Sequence, residues 1–490
     1  MENKRLTCLS VVIILMVFGL QSMAQRQFTL EDLNFGGTNY RKFVPENRYT
    51  TWWGDELIRQ DVDKCSMIDK ATGKETVLFT LDNINDWVAK DCSCKVSHLL
   101  DAIFPYPGKP LVIVKHSATM TLVNWETHKI EWWVSTADED HAEWNSVTKA
   151  TAYVELGGHQ LFIRTADQKD IQLTTDGSRD IVYGQSVHRD EFGITKGTFW
   201  SPDGNRLAYY RMDQSMVADY PQVDIFNRIA TYEPDKYPMA GETSHKVTVR
   251  VYDMAKKQTV TLDAGDPTNR YFTNISWSPD SKTIYMFELN RDQNDCRLMS
   301  YDAETGKKIA EIYRETNDKY VEPLHPIEFL PWNNKQFILQ SQRDGFNHLY
   351  LYQSDGRLIK QLTSGPWVVL DVLGFDTKNK SIVYTSTEKN ALQTNTYAVN
   401  ISNGKRTLLD NGRGYHTPSL SGSGTFVYDN YSEPTVPRNI EIINVSTKKR
   451  TSYFSAADPW KGYNVPEFSS GTIKAADGTT DLYYRMVKPI

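Results

Sequence analysis

The chain has 490 residues, of which 40% are hydrophobic and 24% charged, and it contains 28 glycines and 20 prolines. This balance excludes a disordered or collagen-like chain, and the length exceeds what one small core can fill. The net charge of −6 lacks the basic excess of most nucleic-acid-binding proteins, so we expect no nucleic-acid partner.

The first 24 residues have the pattern of a secretory signal peptide. Lys4 and Arg5 precede the uncharged apolar run 6–20, and the small residues Ser22 and Ala24 stand where a signal peptidase cleaves. The run of about 15 residues is shorter than the roughly 20 that span a bilayer, so we favour cleavage after Ala24 over a membrane anchor. We therefore expect an exported protein, periplasmic or associated with the cell surface.

Outside the signal peptide, which contains Cys8, four cysteines remain: Cys65, Cys92, Cys94 and Cys296. An oxidising compartment permits disulfides, but the sequence leaves their pairing open. Cys92 and Cys94 with His98 suggest a metal site, yet no second Cys/His pair at ligand spacing supports it. We therefore expect neither a metal nor another cofactor.

From about residue 45 to 460, short β-rich runs alternate with turns of Gly, Asn, Asp and Pro. Clear examples of the runs are 152–156, 246–252, 283–289, 337–340, 348–352 and 381–386. No long stretch shows a persuasive 3.6-residue apolar period, and 27 tyrosines and 12 tryptophans suit half-buried strands. The pattern predicts an all-β chain.

Several turns repeat along the chain. Residues 200–204 (WSPDG) and 277–281 (WSPDS) each precede a β-rich run, with weaker copies at 374–376 and 419–424. The aromatic residue before Ser-Pro is expected to pack between adjacent units. Repeats of roughly 45 to 55 residues are typical of propeller blades, so the wider spacing of the two clear copies indicates one enlarged unit.

The repeat predicts a seven- or eight-bladed β-propeller over residues 25–463. Tandem β-sandwiches are the alternative, but no linker or break in composition separates candidate domains. Residues 464–490 then form a strand, a tight turn at Asp477-Gly478 and a second strand. The abrupt end after this hairpin indicates the beginning of another domain.

Four segments carry a resemblance to a known family: 182–194 (VYGQSVHRDEFGI), 237–241 (YPMAG), 321–326 (VEPLHP) and 343–345 (RDG). Together they resemble the N-terminal region of the dipeptidyl-peptidase IV branch of the prolyl oligopeptidase clan, with bacterial prolyl tripeptidyl peptidases as the nearest likeness. The resemblance implies eight blades, followed by an α/β-hydrolase domain that carries Ser, Asp and His and cuts after proline. Residues 464–490 would be the start of that hydrolase domain.

One feature of the family is missing. The hydrolase nucleophile sits in a Gly-x-Ser-x-Gly turn, and this motif does not occur in the 490 residues. Residues 184–188 come nearest but lack the last glycine. We expect no catalytic residue in this chain and no hydrolysis by the chain alone, whether it is a fragment or a stand-alone propeller.

The family's glutamate-bearing segment corresponds to Arg189, Asp190 and Glu191. A carboxylate in a cavity can pair with a protonated peptide α-amine through charge-assisted hydrogen bonds. The resemblance implies that Glu191 anchors the substrate's amino terminus and that Asp190 and Arg189 take part in substrate binding. His188 is expected to make a structural hydrogen bond, and 237–241 with His245 to form a loop near the same site.

These expectations leave two functions open. The first is the substrate-gating, amino-terminus-anchoring propeller of an exported serine exopeptidase that releases Pro-ended di- or tripeptides. Adjacent glutamates are usual in the dipeptidyl branch, so Asp190-Glu191 leaves the product length open, although the wider likeness favours tripeptides. The alternative is a non-catalytic propeller that binds peptides or partner proteins. Expected partners are a peptide with a free amino terminus and a hydrolase domain, and a homodimer is left open.

Overall fold

The computed structural model describes residues 25–89 and 95–489. The predicted signal peptide and the pair Cys92 and Cys94 lie outside these ranges. Within them, regular structure is almost entirely β, with short helices α1 (Leu30–Leu33) and α2 (Leu81–Val88) and 3-10 turns at Tyr40–Phe43 and His188–Asp190. None of the helices in the two described ranges has the length and apolar character needed to cross a membrane.

Eight antiparallel sheets follow one another along the chain, and we name them blades 1 to 8. Blade 1 contains β1 (Tyr49–Trp53), β2 (Glu56–Gln60), β3 (Lys64–Ile68) and β4 (Glu75–Thr80). Blade 2 contains β5 (Leu111–His116), β6 (Thr119–Asn124) and β7 (Lys129–Ser135). Blade 3 contains β8 (Glu139–Trp144), β9 (Thr151–Glu155), β10 (Leu161–Arg164) and β11 (Asp170–Gln172).

Blade 4 is larger and carries two small hairpin ladders between its strands. In chain order its strands are β12 (Ile181–Tyr183), β13 (Thr198–Trp200), β14 (Arg206–Asp213), β15 (Asp219–Tyr220), β16 (Val223–Asp224), β17 (Thr231–Tyr232), β18 (Asp235–Lys236), β19 (Lys246–Asp253) and β20 (Gln258–Thr261). The pairs β15–β18 and β16–β17 belong to a projection between β14 and β19, residues 214–245, which we call the arm. The arm explains the wide spacing of the two Trp-Ser-Pro turns.

Blades 5 to 8 are regular four-stranded sheets. Blade 5 contains β21 (Arg270–Trp277), β22 (Thr283–Asn290), β23 (Asp295–Asp302) and β24 (Lys308–Thr316), and blade 6 contains β25 (Glu328–Leu330), β26 (Asn333–Ser341), β27 (His348–Gln353) and β28 (Leu358–Gln361). Blade 7 contains β29 (Val369–Asp376), β30 (Ser381–Ser386), β31 (Asn395–Asn400) and β32 (Arg406–Leu408), and blade 8 contains β33 (Tyr415–Leu420), β34 (Phe426–Glu433), β35 (Val436–Asn444) and β36 (Arg450–Ser455).

The core of the molecule lies between the blades. Hydrophobic clusters occupy each of the eight interfaces between neighbouring blades. The Trp-Ser-Pro turns reinforce this packing, because the indole N–H of Trp200 donates to the Glu143 carbonyl at 3.0 Å and that of Trp277 to the Phe199 carbonyl at 3.0 Å. Both predictions are confirmed: the fold is an eight-bladed all-β propeller, not tandem sandwiches, and these tryptophans lie partly buried between units.

The ring closes between blades 8 and 1 without an exchanged strand. The Gly422 N–H donates to the Gly54 carbonyl at 2.9 Å, and the Trp52 indole donates to Ser419 Oγ at 3.0 Å. Ser423 donates from its N–H and its hydroxyl to the Asp55 carboxylate, at 2.9 and 2.7 Å. Each blade is therefore built from one continuous stretch of chain, and turns and side chains close the seam.

Segments from the beginning and the end of the described chain pack together beside the ring. Arg26 exchanges backbone hydrogen bonds with Gly462 and Asn464, at 2.9 and 2.7 Å. The ring of Phe28 stacks on Tyr463 with centroids 4.8 Å apart. Beyond this contact, β37 (Glu467–Lys474) and β38 (Asp481–Lys488) form a largely exposed hairpin. The predicted domain boundary at residue 463 stays a prediction.

Candidate functional site

The first strand of blade 4 is interrupted by a loop that carries the predicted site residues. Strands β12 and β13 both pair with β14, and residues 184–197 between them form what we call the blade 4 loop. The Gly184 N–H donates to the Tyr210 carbonyl, and the Tyr210 N–H donates to the Gly197 carbonyl, each at 3.0 Å. The loop thus leaves the sheet and re-enters it opposite a single residue, Tyr210.

Glycines at both ends of the loop permit this narrow base. Gly184 has φ +62, in the left-handed region that favours glycine, and a Cβ there would lie 2.7 Å from Leu161 Cδ1. A Cβ on Gly197 would lie 2.1 Å from the Gln185 carbonyl oxygen on the other limb of the loop. The two limbs of the loop can therefore approach this closely at its base only because Gly197 has no side chain.

The tip of the loop has an uncommon backbone conformation. His188, Arg189 and Asp190 are consecutive left-handed residues, with φ of 54, 62 and 64°, and Phe192 has φ 58°. A left-handed conformation costs a non-glycine residue about 1–2 kcal/mol, so the surrounding structure must stabilise this turn. Local bonds help: the Asp190 N–H donates to the Val187 carbonyl at 3.1 Å and the Ile194 N–H to the Glu191 carbonyl at 3.2 Å.

Two buried residues fix the turn against blade 5. His188 Nε2 accepts a hydrogen bond from the Phe272 N–H at 3.3 Å. The Phe192 carbonyl accepts two more, from Thr273 Oγ1 at 2.8 Å and from Asn274 Nδ2 at 3.0 Å. The turn is therefore clamped on both sides of the three exposed residues Arg189 to Glu191.

The histidine beneath the turn is neutral. Burial, and secondarily the charge of His245, lowers the pKa of His188 to about 3. Burial, with Arg189 and Arg291 as further causes, lowers the pKa of His245 to about 4. The two rings meet edge to face with centroids 6.2 Å apart. The prediction of a structural role for His188 is confirmed by its hydrogen bond to Phe272.

The three predicted site residues lie together on the exposed side of the turn, in two different situations. Arg189 Nη1 donates to Asp235 Oδ2 of the arm at 2.7 Å, and its guanidinium lies 5.2 Å from the ring centroid of Tyr237. The carboxylates of Asp190 and Glu191 make neither a hydrogen bond nor an ion pair with any described residue. They are therefore open to a cationic ligand, whereas Arg189 is already engaged.

Two of the other recognised sequence motifs, 237–241 and 321–326, meet at this loop. Asn274 Nδ2, which holds Phe192, also donates to the Pro323 carbonyl at 2.6 Å, and a Cβ on Gly193 would lie 2.1 Å from the Leu324 carbonyl oxygen. Segment 321–326 therefore lies directly against the blade 4 loop. Since Tyr237 contacts Arg189 and His245 contacts His188, the expected loop near the site is also confirmed.

Two open cavities of similar size differ in their relation to this site. A cleft of about 400 Å³ adjoins residues 193–196 and is lined largely by rings: Phe199, Trp200, Pro202, Tyr210, Trp277 and Pro326. A cavity of about 490 Å³ lies between blades 8 and 1, and both acidic and basic side chains line it: Glu56, Asp69, Lys70 and Lys449. We place the candidate site at the blade 4 loop, because the exposed carboxylates of Asp190 and Glu191 follow a fixed turn there and the cleft begins two residues further on, at Gly193.

Metal and thiol chemistry find little support in the described residues. No group of three or more His, Cys, Asp or Glu side chains within 25–89 and 95–489 is arranged to hold a metal ion. Cys65 and Cys296 are buried free thiols. Burial raises the pKa of Cys65 to about 12 and also raises that of Cys296, so neither thiol ionises near neutral pH.

Sequence reasoning did not find Asp235, the arm residue that holds Arg189. The two residues are 46 positions apart, and Asp235 belongs to a two-residue strand with no distinctive spacing. Its neighbour Tyr237 was singled out only through the resemblance of segment 237–241. The only feature of the sequence that could have pointed to Asp235 is its position next to a recognised motif, because the aspartate itself has no distinctive property.

Comparisons with curated proteins find dipeptidyl peptidases that are longer than this chain. A probable dipeptidyl-aminopeptidase B of Pyrenophora teres f. teres is 28% identical over 334 residues, covering 62% of this chain and 37% of that protein. Dipeptidyl peptidase 4 of Arthroderma otae is 27% identical over 368 residues, covering 70% of this chain and 46% of that protein. The chain spans less than half the length of these relatives.

Solved structures share the fold. A Bacteroides ovatus protein, provisionally named dipeptidyl aminopeptidase IV, superposes with a TM-score of 0.88 at 41% identity, covering 95% of this chain and 67% of that one. Dipeptidyl peptidase 4 of Porphyromonas gingivalis superposes with a TM-score of 0.76 at 21% identity, covering 95% and 68%. The second likeness concerns the fold alone.

The family assignment rests on the sequence of the blades themselves. The family model for the dipeptidyl peptidase IV (DPP IV) N-terminal region matches residues 109–438, well over half of the chain. This range includes the blade 4 loop, the arm and segment 321–326, which carry the site geometry described above. The predicted resemblance is confirmed, and the chain belongs to the family of the dipeptidyl peptidase IV N-terminal region.

Proposed function

We propose that this chain is the substrate-gating propeller of an exported serine exopeptidase and that it holds the free amino terminus of peptides released as Pro-ended di- or tripeptides. One observation carries the proposal: the Glu191 carboxylate is exposed and unpaired among the described residues, on a turn whose backbone is fixed on both sides. Family membership supports the peptidase context. The signal-peptide pattern of residues 1–24 supports export.

The chemistry of the anchor is a charge-assisted hydrogen bond. A protonated peptide amine would donate to Glu191, with Asp190 supplying a neighbouring negative charge. Because the turn is already fixed, binding would order little of the protein backbone, which lowers the entropic cost of recognition. A carboxylate at a fixed position would also measure distance from the amino end, and that is the property that separates an exopeptidase from an endopeptidase.

The chain's own contribution is binding and orientation. Glu191 would hold the amine, the turn would fix the direction of the peptide, and the ring of blades would restrict access of longer or folded chains. Bond cleavage after proline is assigned in this proposal to a hydrolase domain with a serine nucleophile. The fixed distance between the anchor and that nucleophile would decide whether two or three residues are released.

The anchor can be tested by binding alone. We expect Glu191→Gln to weaken binding of Ala-Ala-Pro with a free amine roughly ten- to a hundredfold, because a hydrogen bond between two charged groups is worth roughly 1.5–3 kcal/mol. N-acetyl-Ala-Ala-Pro should bind equally weakly to both proteins. Isothermal titration calorimetry on the purified chain measures both peptides, and Gly-Pro in a parallel titration compares a dipeptide.

The matched control is Glu126→Gln, which neutralises an exposed glutamate on a turn of blade 2. This variant should bind the free-amine peptide as the unmodified chain does. Equal weakening of free and acetylated peptides by Glu191→Gln would remove Glu191 from the proposed role.

A second candidate function is a non-catalytic propeller that binds partner proteins. The tip of the arm favours it, because Ile225, Phe226 and Ile229 are 75%, 97% and 82% exposed. Apolar side chains exposed to this extent are typical of interaction surfaces. A chain that shows no preference for free-amine peptides, yet loses a protein partner on Phe226→Ser, would favour this second function.

A further inference from the structure

The three exposed residues at the tip of the blade 4 loop, Arg189 to Glu191, have a single side-chain ion pair with another of the described elements. Arg189 reaches the arm through its 2.7 Å ion pair with Asp235 and its position over the Tyr237 ring. Asp190 and Glu191, which follow it, have no such contact among the described residues. The clamps at His188 and Phe192 fix the backbone on either side but touch none of these three side chains.

The arm is itself held firmly at its base. Arg179 Nη2 donates to Asp219 Oδ1 at 2.6 Å and to the Pro234 carbonyl at 2.8 Å, directly before Asp235. The buried Lys236 Nζ, directly after Asp235, donates to the Val217 carbonyl at 2.9 Å. Asp235 is thus flanked by two fixed residues, so its carboxylate is a stationary partner for Arg189.

The ion pair between Arg189 and Asp235 can influence Asp190 and Glu191 because of the backbone conformation of the turn. Arg189 lies in the middle of the left-handed run, where φ of 62° is disfavoured for any residue with a Cβ. Rotation of Arg189 to an ordinary backbone conformation would redirect the next peptide planes and with them the side chains of Asp190 and Glu191. A tie that holds the Arg189 side chain opposes that rotation.

We propose that Asp235 and Arg189 are positioning residues. Their ion pair connects the arm to the blade 4 loop and keeps the Glu191 carboxylate in the orientation that receives a peptide amine. The expected effect on peptide binding rests on the proposed function, but the positioning of the turn itself can be measured without a ligand. Arg189 accordingly affects the substrate through Glu191 and does not contact the substrate itself. The arm would then contribute to substrate specificity.

The test combines a structural and a functional measurement on Asp235→Asn in the full chain. Hydrogen exchange followed by mass spectrometry should show exchange of peptides covering 184–197 accelerated about two- to fivefold, the range expected for loss of one exposed ion pair. Affinity for free-amine Ala-Ala-Pro should fall by a similar factor, with no change for the acetylated peptide. Arg189→Gln should behave in the same way, and the double variant no worse than either single variant.

The control is Asp224→Asn, which makes the same change of charge at the far end of the arm. Among the described residues, the Asp224 carboxylate bonds only within its own turn, where it accepts from the Phe226 N–H at 2.8 Å and from Asn227 Nδ2 at 3.1 Å. It should leave exchange at 184–197 unaltered. Unaltered exchange in Asp235→Asn would overturn the inference, as would independent, additive effects of the two substitutions.

The two measurements also separate this inference from the proposed function. Faster exchange at 184–197 in Asp235→Asn, together with a Glu191→Gln variant that weakens free and acetylated peptides equally, supports positioning by Asp235 and contradicts the amine-anchor role of Glu191. Unchanged exchange in Asp235→Asn, together with a Glu191→Gln variant that weakens only the free-amine peptide, supports the anchor and contradicts positioning by the arm.

Discussion

Buried neutral histidines lie directly beneath the exposed carboxylates of the blade 4 loop. His188 accepts a backbone hydrogen bond through Nε2, and its ring meets that of His245 in a buried space bordered by Arg189 and Arg291. A positive charge on either histidine would be costly in this buried space beside the two arginines. The site therefore combines an exposed surface suited to a cation with an interior that excludes one, and only the exposed half takes part in the proposed binding.

These histidines should make the protein less stable in acid. Their pKa values in the folded state, about 3 and about 4, lie below the ordinary value of 6.5, so the unfolded chain binds protons first as pH falls. Stability is then lost progressively below pH 6.5, by up to about 1.4 kcal/mol per pH unit and per histidine. Urea unfolding at pH 7 and pH 5 measures the loss.

The variant His188→Gln isolates this effect, because glutamine retains an acceptor for the Phe272 N–H but does not titrate. It should show a smaller difference between pH 7 and pH 5 than the unmodified chain. The comparison is needed because His416, paired with Asp429 at 2.8 Å, has a raised pKa and contributes with the opposite sign. Identical pH dependence of the two proteins would show that His188 is not kept neutral.

At the scale of elements, the blade 4 loop departs from an otherwise regular sheet and returns to it opposite Tyr210. The crossing of its two limbs depends on Gly197 having no side chain, and the tip depends on contacts with β21 and with segment 321–326. The loop is thus an insertion that neighbouring elements hold rigid, not a flexible connection. Rigidity of this kind is what a site on a loop requires to orient a ligand.

We expect Gly197→Ala to destabilise the chain by about 2–3 kcal/mol, since its Cβ would overlap backbone atoms of Gln185 that cannot move away cheaply. The control Gly157→Ala has open space around the new Cβ and bears only the cost of a left-handed residue, about 1–2 kcal/mol. Urea unfolding of both variants compares the two costs. A Gly197 variant as stable as the Gly157 variant would mean that the limbs can separate freely.

The fold and the site differ in how far the sequence could predict them. Repeated Trp-Ser-Pro turns are local signals, and they indicated blades and even the enlarged unit. The left-handed tip has only a weak signal: histidine and aspartate adopt positive φ more often than most residues, but nothing local favours three such residues in a row with Arg189 in the middle. Contacts such as Arg189 with Asp235 join elements far apart in the chain, so they depend on how the arm folds back, which spacing alone does not encode.

At the scale of the whole molecule, the seam between blades 8 and 1 is held differently from the sheets on either side. Within each blade, backbone ladders join the strands, whereas one backbone bond, from Gly422 to Gly54, crosses the seam among the described residues. Side-chain hydrogen bonds, such as those of Trp52 with Ser419, Ser423 with Asp55 and Tyr428 with the Arg48 carbonyl, and a hydrophobic cluster make up the rest of the seam. The other interfaces have a direct chain connection as well. The seam is therefore the place where the ring is expected to open first.

We expect Ser423→Ala to weaken the seam by about 1–2 kcal/mol, because it removes the hydroxyl that donates to Asp55. Hydrogen exchange should rise in peptides from blades 1 and 8 and stay unchanged in blades 4 and 5. The control Ser354→Ala alters a turn hydroxyl of blade 6 that makes no hydrogen bond with the described residues. Uniformly faster exchange throughout the ring would contradict a locally weak seam.

The absence of an exchanged strand has a topological consequence. Since every blade is one continuous stretch and Arg26 lies hydrogen-bonded to Gly462 and Asn464, the two ends of the ring-forming chain are already neighbours. A short linker between them, with a new break at an exposed turn between two other blades, would give a circular permutant in which every sheet keeps its strands. The blade at which the gene begins could therefore be changed without changing the order of the blades around the ring.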